Sequence, residues 1–186
     1  MNRLTVIDLP LAGLRRVERR NLGDARGSLS RLFCSGELAS AGWVKPVAQI
    51  NQTVTIKRGT VRGIHFQYPP HAEMKLVSCL QGAIWDLAVD IRMGSPTFLH
   101  WHGEELSAEN RRALLIPEGF AHGFQTLTDD CALLYVHSAP FEANAEGGLN
   151  ARDPALAVSW PLPIADMSDR DAQHPLVDAH FAGVTA

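Results

Sequence analysis

The sequence predicts an all-β protein, an antiparallel sandwich or barrel. Short apolar runs recur along the chain at a spacing of about 8–12 residues. Gly, Pro and Asp turn signals separate them, and helical periodicity is nearly absent. With 186 residues, 46% hydrophobic and 20% charged, the chain suits a single globular domain spanning residues 1–186, with a sizeable core.

Strands are expected at 4–7, 14–19, 28–33, 47–54, 61–66, 74–80, 84–91, 97–103, 112–117, 123–128 and 132–138. The breaks are Gly23-Asp24, Arg58-Gly59, Gln81-Gly82, Gly94-Ser95-Pro96, Glu118-Gly119 and Thr128-Asp129-Asp130, all turn formers. Residues 37–41 and 107–111 read as single helical turns, and 168–172 as the start of a short helix capped by Ser168. Beyond Pro140 the chain gains Pro, Ala and Asp and loses β-branched residues, which predicts an irregular C-terminal wrap. The run 84–91, IWDLAVDI, alternates. Trp85, Leu87, Val89 and Ile91 share one face, while Asp86, Ala88 and Asp90 share the other. A carboxylate on the inner face of a barrel would make the lumen polar, hence a ligand cavity.

A formal net charge of −3 excludes a nucleic-acid coat or a basic membrane-surface helix. No apolar run approaches the roughly 20 residues of a membrane span. The first residues lack a secretion signal, so a cytoplasmic location is expected. Cys34, Cys79 and Cys131 are odd in number and widely spaced in apolar runs, which predicts reduced, buried thiols.

The chemistry concentrates in residues 58–75, RGTVRGIHFQYPPHAEMK. Two arginines, two histidines, a carboxylate and a lysine are poor core material but suit a pocket for an anionic or proton-labile ligand. Three further stretches join it. PEGFAHGF delivers His122 from a tight turn, LLYVHS puts Tyr135 and His137 on one strand face, and MSDRD carries Asp169 and Asp171. A metal site is not expected. The strand at His65 has Gln67 where an HxH pair would need a second histidine, and the HxH at His100 and His102 lacks a carboxylate at the right offset. Those two histidines read as outer-face residues.

RGSLSRLF, QINQT, RGTVRGIHFQ, HAEMKLV, DLAVDIRMGSPTF, LSAENRRALLIPEGFAHGF, LLYVHS and MSDRDAQHPL together resemble, in order and spacing, the dTDP-4-dehydrorhamnose 3,5-epimerase family. The resemblance covers roughly residues 22–178. It implies a cupin-type β jelly roll (a double-stranded β-helix) with short peripheral helices, a homodimer, and epimerisation without metal or cofactor. The reaction implied is inversion of C3 and/or C5 in a nucleotide-linked 4-keto-6-deoxy sugar, as in dTDP-rhamnose and surface-polysaccharide biosynthesis. A 4-keto group acidifies the hydrogens on both neighbouring carbons, so inversion needs a base on one face, an acid on the other and a cation for the enolate oxygen. By the resemblance His65 is the base, Asp171 orients it, Tyr135 is the acid and Lys75 is the cation. Arg26, Gln49, Asn51, Arg62 and His122 match positions that hold the diphosphate, nucleoside or sugar, and Asp86 matches a lumen carboxylate behind the reacting groups.

The chain departs from the family pattern at Ser28 and Arg31, where an aromatic and a glutamate usually hold the nucleoside, at Gln52, and at Pro140-Phe141, where a tyrosine pair usually stands. Epimerisation at C3 alone or C5 alone, or on a CDP-linked sugar, therefore stays open. The rivals are a keto-sugar isomerase, a metal-dependent cupin oxygenase and a non-catalytic sugar-binding barrel.

Overall fold

The structure, a computed structural model, describes residues 2–185. Thirteen strands form among them: β1 (Leu4–Asp8), β2 (Arg15–Arg19), β3 (Asn21–Asp24), β4 (Gly27–Ser30), β5 (Gln49–Thr55), β6 (Val61–Gln67), β7 (Lys75–Gln81), β8 (Ala83–Asp90), β9 (Trp101–Ser107), β10 (Arg112–Ile116), β11 (Phe120–Thr126), β12 (Cys131–His137) and β13 (Glu146–Gly148). Two helices are short: α1 (Ser35–Leu38), continued by a 3-10 turn at Ala39–Ala41, and α2 (Asp169–Ala172). One sheet has the order β1-β2-β10-β7-β12-β5 and the other β13-β6-β11-β8-β9, while β3 and β4 pair only with each other. Every strand pair is antiparallel. This is the two-sheet cupin-type jelly roll.

Alternation decides which side chains meet between the sheets. Val77, Cys79, Leu114, Ile116 and Leu133 of the six-stranded sheet pack against Ile84, Ala88, Leu106, Phe120 and Phe124 of the five-stranded one. The outer face of the six-stranded sheet is covered by Leu38 and Trp43 from the α1 segment. Leu87, Val89 and Ile91 point the other way, under Leu149, Leu156 and Val184 of the C-terminal wrap. The wrap is thus a third layer that gives the sheet's second apolar face a cover.

Some expectations need correction. The strand expected at 28–33 stops at Ser30, and the one at 97–103 starts only at Trp101. Asp90 draws Ser95 and Thr97 into a turn, with both hydroxyls 2.6 Å from its carboxylate, and Leu99 takes a left-handed φ of 62°. Residues 107–111 form a turn, not a helical one. Ser107 N–H donates to Asn110 Oδ1, Asn110 N–H donates to Ser107 Oγ, and Arg111 has φ 55°. Cys79 and Cys131 are buried, but Cys34 is partly exposed. His102 does not face outward. It pairs across β9 with Ala88 of the inner face, its Nε2 3.3 Å from Glu104, while His100 is an exposed residue before the strand.

Candidate active site

A cavity of about 230 Å³ opens between the two sheets, and its walls come from both. The five-stranded sheet contributes Arg62, Gly63, His65 and Gln67 on β6 with His122 on β11, and the six-stranded sheet contributes Asn51, Lys75 and Tyr135. Strands β6 and β11 come unusually close. A Cβ on Gly63, whose φ is 108°, would lie 2.7 Å from Gly123 Cα, so glycine is required there. That approach, with a register shift between His122 and Gly123, sets His65 opposite His122.

His65 is tied down from the C-terminal wrap. Ser168 caps α2 by accepting the Asp171 N–H, and this holds the Asp171 carboxylate under the ring. His65 Nε2 lies 2.8 Å from Asp171 Oδ1, and Asp171 Oδ2 accepts the Gly63 N–H at 3.0 Å. Burial pushes the Asp171 carboxyl up, but the bonds from His65 and Gly63 outweigh it and hold the group down at about 2. A carboxylate only accepts, so Nε2 carries the ring hydrogen and Nδ1 is left with a lone pair. The Arg170 guanidinium stands 3.2 Å from the same Nε2 and pairs with Glu146 at 3.0 Å.

Across the cavity, Tyr135 is enclosed by two imidazoles. His122 meets its ring edge-on at 5.8 Å and His137 stacks on it at 5.9 Å. Burial and then the Asp86 charge push its pKa above the ordinary value. The phenol therefore keeps its proton. His122 Nε2 is 2.8 Å from Asp86 Oδ1, and burial pushes that carboxyl up as well.

Comparison with known proteins places the chain in a known group. The family profile for dTDP-4-dehydrorhamnose 3,5-epimerase matches residues 8–179. A dTDP-4-dehydrorhamnose 3,5-epimerase of Sinorhizobium fredii is 41% identical over 172 residues, covering 90% of this chain and 86% of the relative. The chain belongs to the dTDP-4-dehydrorhamnose 3,5-epimerase family. It is accordingly an isomerase of the epimerase class. A dTDP-4-dehydrorhamnose 3-epimerase of Streptomyces niveus is 36% identical over 179 residues, covering 95% and 86% of the two chains. The structure of a family member from Legionella pneumophila, a dTDP-6-deoxy-D-glucose-3,5-epimerase in complex with dTDP-4-keto-L-rhamnose, superposes with a TM-score of 0.91 at 34% identity. That match covers 98% of this chain and 99% of the other.

Of the residues that the resemblance to the epimerase family singles out, His65, Lys75, Tyr135, Asn51, Arg62 and His122 line the one cavity. Asp171 and Asp86 stand directly behind it as partners of the two histidines. Gln49 does not line it; its Oε1 accepts the Phe141 N–H at 3.0 Å, so it shapes the loop that brings Phe141 to the wall. Arg26 lies elsewhere, because β3–β4 pairs only with itself, and its side chain is 90% exposed against Asp24. Glu146 and Arg170 line the cavity without having been singled out, and so do Glu73, the carboxylate of the 58–75 stretch, and His137, neither of which was given a role. For His137 the signal was present, since it shares a strand face with Tyr135. Arg170 sits within the MSDRD stretch, but nothing in the spacing shows that it returns to β6. His65, Asp171 and His174 hold ligand-type atoms within 4.8 Å of one another, the one such group of three among the described residues.

Proposed function

We propose that this epimerase inverts C3 and C5 of a dTDP-linked 4-keto-6-deoxy sugar through an enolate. His65 Nδ1 takes the proton, Asp171 holds the ring in that tautomer and stabilises the imidazolium, and Tyr135 returns a proton to the opposite face. Lys75 neutralises the enolate oxygen. The observation that carries this reading is the placement of His65 and Tyr135 on opposing walls of one cavity, joined to different sheets. A binding module needs no opposed acid and base. A second cleft, of about 520 Å³, shares Arg62, His65 and Arg170 with the first. It suits the nucleotide end of the substrate, with the two guanidiniums at the diphosphate between the clefts.

Inversion at C3 alone is the second reading. Phe141 lines the wall where the family usually offers a tyrosine, so one hydroxyl is missing beside the sugar. The test is incubation with dTDP-4-keto-6-deoxyglucose in deuterated water. Deuterium at both carbons supports the first reading and deuterium at C3 alone the second. No incorporation with the dTDP sugar, but incorporation with a CDP-linked one, would reassign the nucleotide.

A homodimer and a cytoplasmic location belong to the same proposal, with the whole chain acting as one domain. Strand β5 is an edge of its sheet and exposes Ile50 and Val54, and Ile56 follows just beyond it. An edge this apolar calls for a cover. Arg26, remote from its own cavity, is then available to the cavity of a second copy. Among the described residues no helix is long and apolar enough to cross a membrane.

A further inference from the structure

Lys75 has two buried neighbours that the reaction scheme above leaves idle. Glu73 Oε1 lies 3.2 Å from Lys75 Nζ, and Glu73 Oε2 lies 2.8 Å from His137 Nδ1. All three side chains are about nine-tenths buried, and all three line the cavity. Lys75 and His137 are direct cross-strand partners on β7 and β12. The arrangement therefore runs in one line, from imidazole to carboxylate to ammonium.

From this geometry we infer that Glu73 and His137 form a clamp that keeps the Lys75 ammonium charged and aimed at the enolate oxygen. The inference rests on the assignment of Lys75 to that oxygen. Each link has a physical reason. A flexible four-carbon stem carries its charge wherever the nearest anion holds it, and a buried ammonium without an anion gives up its proton to escape desolvation. Glu73 supplies the anion. Burial pushes its carboxyl up, but the His137 hydrogen bond and the Lys75 charge outweigh this and leave it below the ordinary value, so it is ionised at working pH. Glu73 could still rotate away from Lys75. His137 prevents that by donating Nδ1–H to Oε2, and the His137 ring is itself immobilised on Tyr135, with 16° between the planes. His137 Nε2 is buried with no hydrogen-bond partner, so the ring's polar tie is the bond from Nδ1 to Glu73. Both residues are positioning residues and neither needs to touch substrate.

Other charges face Lys75, and they do not replace the clamp. Asp86 acts on it from the opposite sheet, but that carboxylate is engaged by His122 at 2.8 Å. Tyr135 holds its proton, Ile116 on β10 is apolar, and Arg62, His65 and Arg170 elsewhere in the cavity are basic. Glu73 is thus the anion committed to Lys75.

The test compares Glu73→Gln, His137→Phe and His137→Asn with the wild type, reading kcat, KM and the pH profile on the keto sugar, with circular-dichroism melting as the check on folding. Phenylalanine keeps the stack on Tyr135 and loses the donor. Asparagine restores a donor at the place of Nδ1. Losing a hydrogen bond to a charged group predicts a fall in kcat of about 10–100-fold for Glu73→Gln and His137→Phe. KM should stay within about threefold, because removing an anion does not weaken diphosphate binding. The alkaline limb of kcat should move to lower pH in Glu73→Gln, and His137→Asn should recover most of the loss. Lys75→Met separates the two layers of the argument. If Lys75→Met is inactive while Glu73→Gln and His137→Phe keep wild-type kcat and an unmoved limb, the clamp is refuted alone. If Lys75→Met turns over normally, the assignment of Lys75 fails and the clamp with it.

Discussion

Replacing Asp171 by asparagine tests the catalytic geometry at its tightest point. The carboxylate satisfies two donors at once, His65 Nε2–H at 2.8 Å and Gly63 N–H at 3.0 Å. An asparagine has one oxygen. The backbone amide of Gly63 is always a donor, so it claims that oxygen and turns the –NH2 toward His65. Nε2 must then accept, the ring hydrogen moves to Nδ1, and the lone pair that would take the substrate proton is gone. A wrong tautomer held by an otherwise intact site costs about 10⁴-fold in kcat in the Ser-His-Asp enzymes. The same order is expected here, with KM nearly unchanged. The carboxyl is held at about 2, below the ordinary aspartate value of 3.8, which makes the interactions favouring its charged form worth about 2 kcal/mol. The group's folded pKa is depressed, so this stabilisation is fully present above about pH 4 and is lost as pH falls through 2. At neutral pH the variant should therefore melt lower by roughly 4–8 °C. The assay is loss of deuterium exchange at C3 and C5, followed by mass spectrometry, beside a thermal melt. Retention of more than a tenth of wild-type exchange would refute the tautomer argument.

Further outcomes follow from the same site. Tyr135→Phe should suppress product formation more than proton removal, so exchange at the abstracted position outlasts inversion; equal loss of both would show that Tyr135 is not the acid. Arg62→Ala should raise KM for the nucleotide sugar by roughly tenfold, the worth of one charge-assisted bond, and an unchanged KM would remove it from the diphosphate. Dialysis against a chelator should leave turnover intact. Activity lost that way and restored by a divalent cation would put an ion among His65, Asp171 and His174 and overturn the metal-free scheme. For the dimer, sedimentation should give twice the chain mass, and Ile50→Glu with Val54→Glu on the exposed edge of β5 should shift it toward monomer.

Strands with strong alternation were legible, and β8 is the clearest case. Its pattern foretold both the inward Asp86 and the outward Leu87, Val89 and Ile91. The strand at 97–103 was misjudged because its apolar run is real, but the Asp90 carboxylate captures Ser95 and Thr97, five and seven residues later in the chain, and holds the start of the run in a turn. Strand β13 has the sequence Glu-Gly-Gly and no β propensity at all; it forms because Gly147 and Gly148 leave room for the Phe66 and His174 rings. In the site, motif residues on β6, β7 and β12 converge on one cavity because those strands are fixed by pairing. Arg26 stays outside that cavity, because its hairpin pairs only with itself and no local pattern states which cavity it serves. The Glu73–His137 pair was hidden for a different reason. Sixty-four residues separate the two, and only the antiparallel register of β7 with β12 makes them neighbours.

The carboxylate that arms His65 comes from α2, 106 residues further along, after both sheets are complete. During synthesis the jelly roll has every strand it needs before Asp171 leaves the ribosome. A nascent or C-terminally clipped chain would present the cavity, the cation and the phenol, yet its imidazole would lack the anion that selects the working tautomer. With His65 as the base, competence would then wait on the docking of α2, and a protease that trims the tail would remove that anion together with the Val184 cover over Leu87, Val89 and Ile91.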